Sequence, residues 1–406
     1  MKVLQINAVY GIGSTGRIVE ELDIALQKAN IDSIIATTQT TKENDNIYIV
    51  GTILERKLHA LLSRLIGKQA YFSYCSTKRL LKVLKQEKPD VIHLHNLHAN
   101  YIHFRLLLQY IKKHNMATVI TLHDCWFFTG KCTHYTEQGC YKWVDGCHHC
   151  PQLKNGNKSW FFDRTEKLWD DKKKWLQAIP NLAVIGVSDW ITNEGKKSFL
   201  KDSKIIKRIY NWIDLEVFYP REENLREKYG IDEDKFLILC IGAGWSPESK
   251  KHQDLLTLSR QLDEDERIIL AGDTSKIGDL PDNVIPVGYI SSTDELAKLY
   301  SSVDAYVHVS REDTFGKVIA EALACGTPAI VYNATACPEL IGEGCGYVVE
   351  KGDIDGIVCA IRRIKKDTKK GYVDSCVQFT KNNFEKKTLI QQMMEVYYQL
   401  LEGNKK

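Results

Sequence analysis

The chain is 406 residues long, 44% hydrophobic and 26% charged, and its 55 basic and 52 acidic side chains leave a formal charge of +3. This is ordinary soluble-globular composition, long enough for two or three domains that bury cores without disulfide staples, so disordered, fibrous and mini-protein classes are excluded. No apolar run approaches the roughly 20 residues needed to cross a bilayer. The opening MKVLQINAVY lacks the basic flank and long apolar stretch of a signal peptide, so the expected compartment is the cytoplasm.

The near-neutral total hides a separation of sign. Residues 51–200 carry 23 basic and 12 acidic groups, whereas residues 201–350 carry 16 and 27. Two halves with different partners are expected.

In chain order, the apolar run Val3 to Asn7 leads to a glycine-rich turn, Gly11-Ile12-Gly13-Ser14-Thr15-Gly16, and then to a helix-like stretch from Arg17 to Lys28. This predicts strand, loop and helix. Between Glu55 and Lys88, basic residues including Arg56, Lys57, Arg64, Lys68, Arg79 and Lys82 alternate with leucines on two helical periods, with Tyr71-Phe72-Ser73-Tyr74 between them. Two readings are even: basic amphipathic helices for an anionic membrane surface, or helices whose apolar faces pack on a sheet while their charges are solvated. Nucleic acid is not expected, because no binding module accompanies the patch.

Further strand-like runs follow at residues 33–36, 91–95, 117–122 and 182–187, with helical patterns between several of them. The alternation predicts a mostly parallel sheet covered on both faces. His95-Asn96-Leu97-His98 ends one strand and Thr121-Leu122-His123-Asp124 the next, at the carboxyl ends where open α/β sheets bind ligands. His95 and His123 are therefore expected to line a cleft, and His93 to be a satisfied core histidine.

Cys132, Cys140, Cys147 and Cys150 fall within a Cys-rich insert, 125–151. The Cys147-x-x-Cys150 pair with the other two could supply four thiolates to a structural Zn²⁺; reduced thiols and a disulfide fit the same spacing. Without a signal peptide, disulfides are the least favoured of the three.

The pattern restarts with strand-like runs at 236–242, 267–272, 305–309 and 328–332 and helical ones at 253–262, 293–302 and 317–324. A second doubly wound domain is expected, joined near Tyr219 to Glu223, giving domains 1–218 and 219–385. A C-terminal helix within 386–406 is expected to pack back across the first domain. Ser310 to Pro328 reads SREDTFGKVIAEALACGTP. Here Thr314 is the expected cap, Phe315-Gly316 lets the backbone approach a ligand, and the helix that follows presents amides to an anion. Asp313 and Glu321, eight apart, are expected on roughly one face, placed to accept from sugar hydroxyls.

Over nearly its whole length the sequence resembles the retaining glycosyltransferases of family 4. The resemblance implies an α/β GT-B fold, two Rossmann-like domains facing a cleft, with the acceptor on the N-terminal side and a nucleotide diphosphate sugar on the C-terminal one. Glu321 matches the second of the family's two glutamates, which holds the ribose; Asp313, a shorter arm, stands where the first lies beside the donor sugar. Gly242-Ala243-Gly244-Trp245 and Lys250-Lys251 resemble the strand end and basic loop that clamp the diphosphate, with Lys251 in the lysine's place and Lys250 supplying the charge lost where Trp245 replaces an arginine. Gly13 to Gly16 correspond to the glycine loop at the donor phosphate, and His123 to the histidine that contacts the donor sugar.

The implied catalytic set is His123, Asp313 and Glu321; the implied donor-binding set adds Gly13, Gly16, Lys250, Lys251, Thr314, Phe315 and Gly316. The implied reaction is transfer of a hexosyl unit to a glycan or undecaprenyl-linked acceptor in capsule or other surface polysaccharide assembly. It requires no metal and takes place at the inner face of the plasma membrane. The Cys-rich stretch is itself similar to a subset acting on such polysaccharides, where the insert lies on the acceptor side. An epimerase or phosphorylase on the same fold, and a non-catalytic sugar-nucleotide-binding protein, stay open as alternatives.

Overall fold

The computed structural model describes residues 1–222 and 225–402, so Glu223 of the expected linker and the last four residues of 386–406 lie outside the described residues. The chain forms two compact units, Met1–Tyr210 with Thr388–Lys406, and Asn211–Lys387.

The first unit runs β1 (Lys2–Ile6), β2 (Val9–Tyr10), α1 (Gly13–Lys28), β3 (Asp32–Thr37), β4 (Gln39–Thr40), β5 (Ile47–Ile49), α2 (Ile53–Ile66), α3 (Tyr74–Glu87), β6 (Val91–Leu94), α4 (Phe104–Lys113), β7 (Ala117–Leu122), α5 (Thr165–Leu176), β8 (Leu182–Gly186), α6 (Asp189–Lys197) and β9 (Ile205–Arg208). Seven strands make one parallel sheet in the order β5-β3-β1-β6-β7-β8-β9, while β2 and β4 pair apart. The central strands are buried on both faces, every residue of β6, β7 and β8 included, which is why they read as apolar runs without alternation. The edge strands β5 and β9 are only partly covered, and no such run marks them in the sequence. From β1 the chain steps outward to β3 and β5, then crosses back to β6 on the other side of β1. The carboxyl ends of β1 and β6, paired from Val3↔Val91 to Ile6↔Leu94, are thus a topological switch point.

One expectation is corrected here. α1 begins at Gly13, four residues before the expected start, so Gly13 to Gly16 form its first turn and the loop is Gly11-Ile12. Gly16 packs closely there: an added Cβ would lie 3.1 Å from Val9 and 3.4 Å from the Gly11 backbone, so the Val9 side chain would have to shift by a few tenths of an ångström.

The second unit runs β10 (Phe236–Gly244), α7 (Lys250–Ser259), β11 (Glu266–Asp273), β12 (Val284–Gly288), α8 (Thr293–Ser302), β13 (Ala305–His308), α9 (Lys317–Ala324), β14 (Ala329–Tyr332), β15 (Gly346–Val349), α10 (Ile354–Asp367) and α11 (Val373–Phe384). Its six parallel strands lie in the order β12-β11-β10-β13-β14-β15, which puts the switch point between β10 and β13. β10 and β11 approach so closely at this end that a Cβ on Gly272, at φ +125°, would fall 1.8 Å from the Gly242 carbonyl oxygen. From Thr388, α12 (Lys386–Glu402) belongs to the first unit, where Met393, Val396, Tyr397 and Leu400 are buried.

Candidate functional site

In the second unit, the switch point gathers the motif residues. Ser249 caps α7 by accepting from the His252 amide, which places Lys250 and Lys251 in the helix's first turn instead of a loop. Lys250 is exposed; Lys251 is half-buried, its ammonium 4.9 Å from the centre of the Trp245 ring. Burial pushes the Lys251 ammonium down, and the nearby Asp313 carboxylate opposes the shift. Trp245 is itself structural, donating its ring N–H to the Ala271 carbonyl at 3.1 Å.

Asp313 lies in the loop between β13 and α9. Its carboxylate meets His308 Nε2 at 2.7 Å, and its amide donates to Thr335 Oγ1 at 2.9 Å. His308, the last residue of β13, is held from behind by the Tyr306 hydroxyl at 2.9 Å from Nδ1. The loop is locked two residues earlier, where Arg311 makes a two-pronged pair with Asp254 at 2.9–3.0 Å and Tyr332 donates to the same carboxylate. Such fork-to-carboxylate pairs fix geometry as well as adding energy. His308, Asp313 and Cys337 bring ligand atoms within 4.8 Å of one another, a set that could hold a metal ion.

Two expectations about this segment are corrected. Thr314 is not the cap: Gly316, at φ +88°, precedes α9, and no side chain caps it. Because α9 starts at Lys317, Asp313 stands ahead of the helix and does not share a helical face with Glu321. Glu321 is 5% exposed within α9 and accepts from the Tyr300 hydroxyl at 3.3 Å. Tyr306, fully buried and in edge contact with Tyr300, feels the charge of both carboxylates, so the two acids flank a tyrosine pair. Phe315 is buried against Phe384, leaving its backbone as the part that can face a ligand.

In the first unit, the polar residues of the switch point form a chain. Gln5 Oε1 lies 3.2 Å from His95 Nε2, and His95 Nδ1 lies 3.0 Å from His123 Nε2. With Gln5 Oε1 as acceptor, His95 carries its proton on Nε2 and accepts at Nδ1, so His123 donates from Nε2 and is an acceptor at Nδ1. Burial pushes the His123 imidazole down to about 4, against the opposing pull of Asp124, and also holds His95 well below its ordinary value. Both rings are neutral at neutral pH.

His95 is only 1% exposed with both nitrogens engaged, so it supports His123 and does not line a surface as expected. His93 is the satisfied core histidine, bonded to Tyr397 and Thr121 at 2.7 Å each. Beside them His98 Nε2 sits 2.8 Å from Asp124. Burial alone would raise the Asp124 carboxyl, but His98 and the Trp126 amide bring it below its ordinary range.

Sequence reasoning missed Gln5, His308, Arg311 and Asp254. For His308 the signal was present, a histidine at a strand's carboxyl end, the same feature that singled out His123. The Arg311–Asp254 pair joins residues 57 apart and has no local signature.

The two basic helices differ from each other. α3 buries Leu80 and Leu84, whereas α2 buries His59 and Ser63 and turns Leu54, Leu58 and Leu61 outward at 76%, 53% and 43% exposure. The exposed Trp160, Phe161 and Phe162 adjoin α2, with the Trp160 amide donating to the Arg64 carbonyl at 2.7 Å. Among the described residues no helix is long and apolar enough to cross a membrane.

Two parallel doubly wound units with polar side chains gathered at each switch point define a glycosyltransferase-type GT-B fold, and solved structures agree. Sucrose-phosphate synthase from Thermosynechococcus elongatus superposes with a TM-score of 0.73 at 19% identity over 99% of each chain. Anabaena HepE in complex with UDP gives 0.67 at 16% identity over 98% of this chain and 100% of that one. The Glycosyltransferase Family 4 model matches residues 15–217, half of the chain, and the Glycosyl transferases group 1 model matches residues 221–386. The chain belongs to this glycosyltransferase family. It is 25% identical over 300 residues, 72% of its length and 71% of the relative's, to the putative colanic acid biosynthesis glycosyl transferase WcaC of Escherichia coli. It is 26% identical over 237 residues, 55% of its length, to N-acetyl-alpha-D-glucosaminyl L-malate synthase of Bacillus anthracis, and the match covers 61% of that protein.

Proposed function

We propose that the protein is a retaining glycosyltransferase that moves a hexosyl unit from a nucleotide diphosphate sugar to a glycan or undecaprenyl-linked acceptor in surface polysaccharide assembly. The observation that carries this reading is the convergence, at the second unit's switch point, of Lys251, the His308-held Asp313 and the amino end of α9. An ammonium and a helix terminus suit a diphosphate, and carboxylates suit sugar hydroxyls.

In this reading Lys250, Lys251 and the backbone of Thr314, Phe315 and Gly316 hold the diphosphate, Glu321 the ribose, and Asp313 the donor sugar. As the glycosidic bond breaks, negative charge grows on the leaving phosphate, and prearranged positive groups there lower the barrier. No side chain needs to attack the sugar; the departing phosphate takes the acceptor's proton as the hydroxyl enters from the same face, so the configuration is kept.

The test is incubation with a panel of UDP-, GDP- and ADP-sugars and a lipid-linked acceptor, with mass spectrometry of the product and NMR of its anomeric proton. An inverted product, or no turnover with any pair, would sink the reading. Lys251→Ala and Glu321→Ala should each weaken donor binding at least tenfold, about 1.4 kcal/mol; unchanged donor affinity would mean the residues are misassigned.

A peripheral position on the inner leaflet is supported by α2, whose outward leucines and neighbouring aromatic loop are accompanied in sequence by Lys57, Arg64 and Lys68. An apolar strip flanked by cations suits an anionic headgroup region, at about 1 kcal/mol per basic residue near the surface. Co-sedimentation with vesicles containing anionic lipid, but not with neutral ones, is the expected result.

A further inference from the structure

From the end of β7 to the start of α5 the chain contains only one short helical turn, Lys142–Val144, among the described residues. Part of its order comes from Phe128, Tyr135 and Trp143, whose rings pack at tilted angles in the interior, and from Tyr135, which donates to Glu194 of α6. Beside this aromatic wedge lies a small cavity, and its wall contains all four of Cys132, Cys140, Cys147 and Cys150, together with Lys131 and Lys142.

The cysteines reach this cavity by deliberate backbone geometry. Between Cys147 and Cys150, His149 takes φ +43°, a left-handed conformation that costs a residue with a β-carbon of order 1 kcal/mol and persists only where the surroundings hold it. They do: Lys142 Nζ donates to the carbonyls of His148 and His149 at 3.2 and 3.1 Å, and the Cys150 amide donates to Asp163 at 2.6 Å. Both residues of the pair then line the cavity. The Gly130 amide donates to Cys147 Sγ at 3.2 Å and holds that sulfur in place. Outer hydrogen bonds of this kind orient metal ligands.

Charge points the same way. Lys131, Lys142 and the buried Lys172 surround the cluster, and Lys172 donates to the Trp126 and Thr129 carbonyls at 2.6 and 3.0 Å. Four thiolates around a dication carry a net charge of −2, which the ammonium groups of Lys131 and Lys142 on the same wall offset.

We propose that Cys132, Cys140, Cys147 and Cys150 bind one Zn²⁺ tetrahedrally and that this ion clasps the insert to the first unit. Four thiols and Zn²⁺ give a tetrathiolate complex and four released protons, with no change of oxidation state. Among the described residues no three of the sulfurs lie within 4.8 Å of one another, so ligation draws them inward by side-chain rotation. With four protein ligands the ion has no open position and a structural role. The proposal is independent of the glycosyl-transfer reading, because its readouts are metal and thiol content.

Elemental analysis of full-length protein purified under reduction should find about one zinc per chain, released by a mercurial thiol reagent and detected with a metallochromic dye. Replacement by Co²⁺ should produce the thiolate charge-transfer and intense visible bands of a tetrahedral sulfur site. The double variant Cys147→Ser/Cys150→Ser should lose the zinc and melt at lower temperature, while Cys75→Ser/Cys359→Ser, which alters exposed thiols elsewhere, keeps it. Wild-type protein that gives no cobalt–thiolate spectrum overturns the proposal even if the double variant fails to fold. So does a Cys132–Cys150 disulfide found by mapping in zinc-free protein, or zinc retained by the double variant.

Discussion

Asp313 shows how much of a site residue's behaviour belongs to its neighbours. A carboxylate one methylene shorter than glutamate reaches less far, and here it is braced by His308 Nε2 and by Thr335 through its amide. A hydrogen bond to a charged group contributes about 1.5–3 kcal/mol. If His308 positions Asp313 for the donor sugar, His308→Ala should lower kcat roughly tenfold to a hundredfold while the donor KM changes far less, and His308→Gln, which keeps an N–H donor, should recover part of the loss. A rise in KM with kcat intact would show that His308 serves donor affinity and not positioning in the transition state. The motif in the sequence singled out Asp313 and Glu321, although the shared helical face expected from their spacing does not form. Their supports, His308 and Tyr300, come from a strand end and a preceding helix, and which side chain meets which is decided by packing.

Among the elements, α2 and α3 are the instructive pair. Their leucines recur at the same helical period, and periodicity reports that apolar and polar faces are separated without reporting which way either points. The structure covers Leu80 of α3 and leaves Leu54 and Leu58 of α2 in solvent. Leu80→Ala should therefore cost about 2–5 kcal/mol, seen as a lower denaturation midpoint. Leu54→Asp/Leu58→Asp should leave that midpoint within about 0.5 kcal/mol of wild type and abolish binding to anionic vesicles; destabilisation by the double substitution would mean the face is covered. In the second sheet, Gly272→Ala has no room at all, since the new methyl would overlap the Gly242 carbonyl. Unit 2 should lose its cooperative melting transition or show it at a much lower temperature.

At the scale of the whole molecule, buried histidines set the pH response. Burial pushes His59 and His123 down to about 4 and His93 to about 3, with the charge of His103 adding to the effect at His59 and that of His123 at His93. In the unfolded chain each returns to about 6.5. The unfolded state therefore binds more protons than the fold between about pH 6.5 and 4. Stability from these groups is complete above pH 6.5 and falls as the pH drops, by up to about 1.4 kcal/mol per pH unit for each. Urea midpoints measured from pH 7.5 to pH 5 should decline steadily; a flat profile would show that these rings are solvated.

The sequence by itself determined the two doubly wound halves and the opposed charge blocks, because strand burial, turn chemistry and charge are written locally along the chain. It also marked the strand ends and the α9 motif where polar side chains collect. Only the tertiary structure decided that Thr314 does not cap α9, that His95 supports His123 from within, that α2 faces outward, and that four cysteines share one cavity. Each of these depends on contacts across sheets and loops between residues far apart in the chain, and local pattern carries no information about which distant groups the fold brings together.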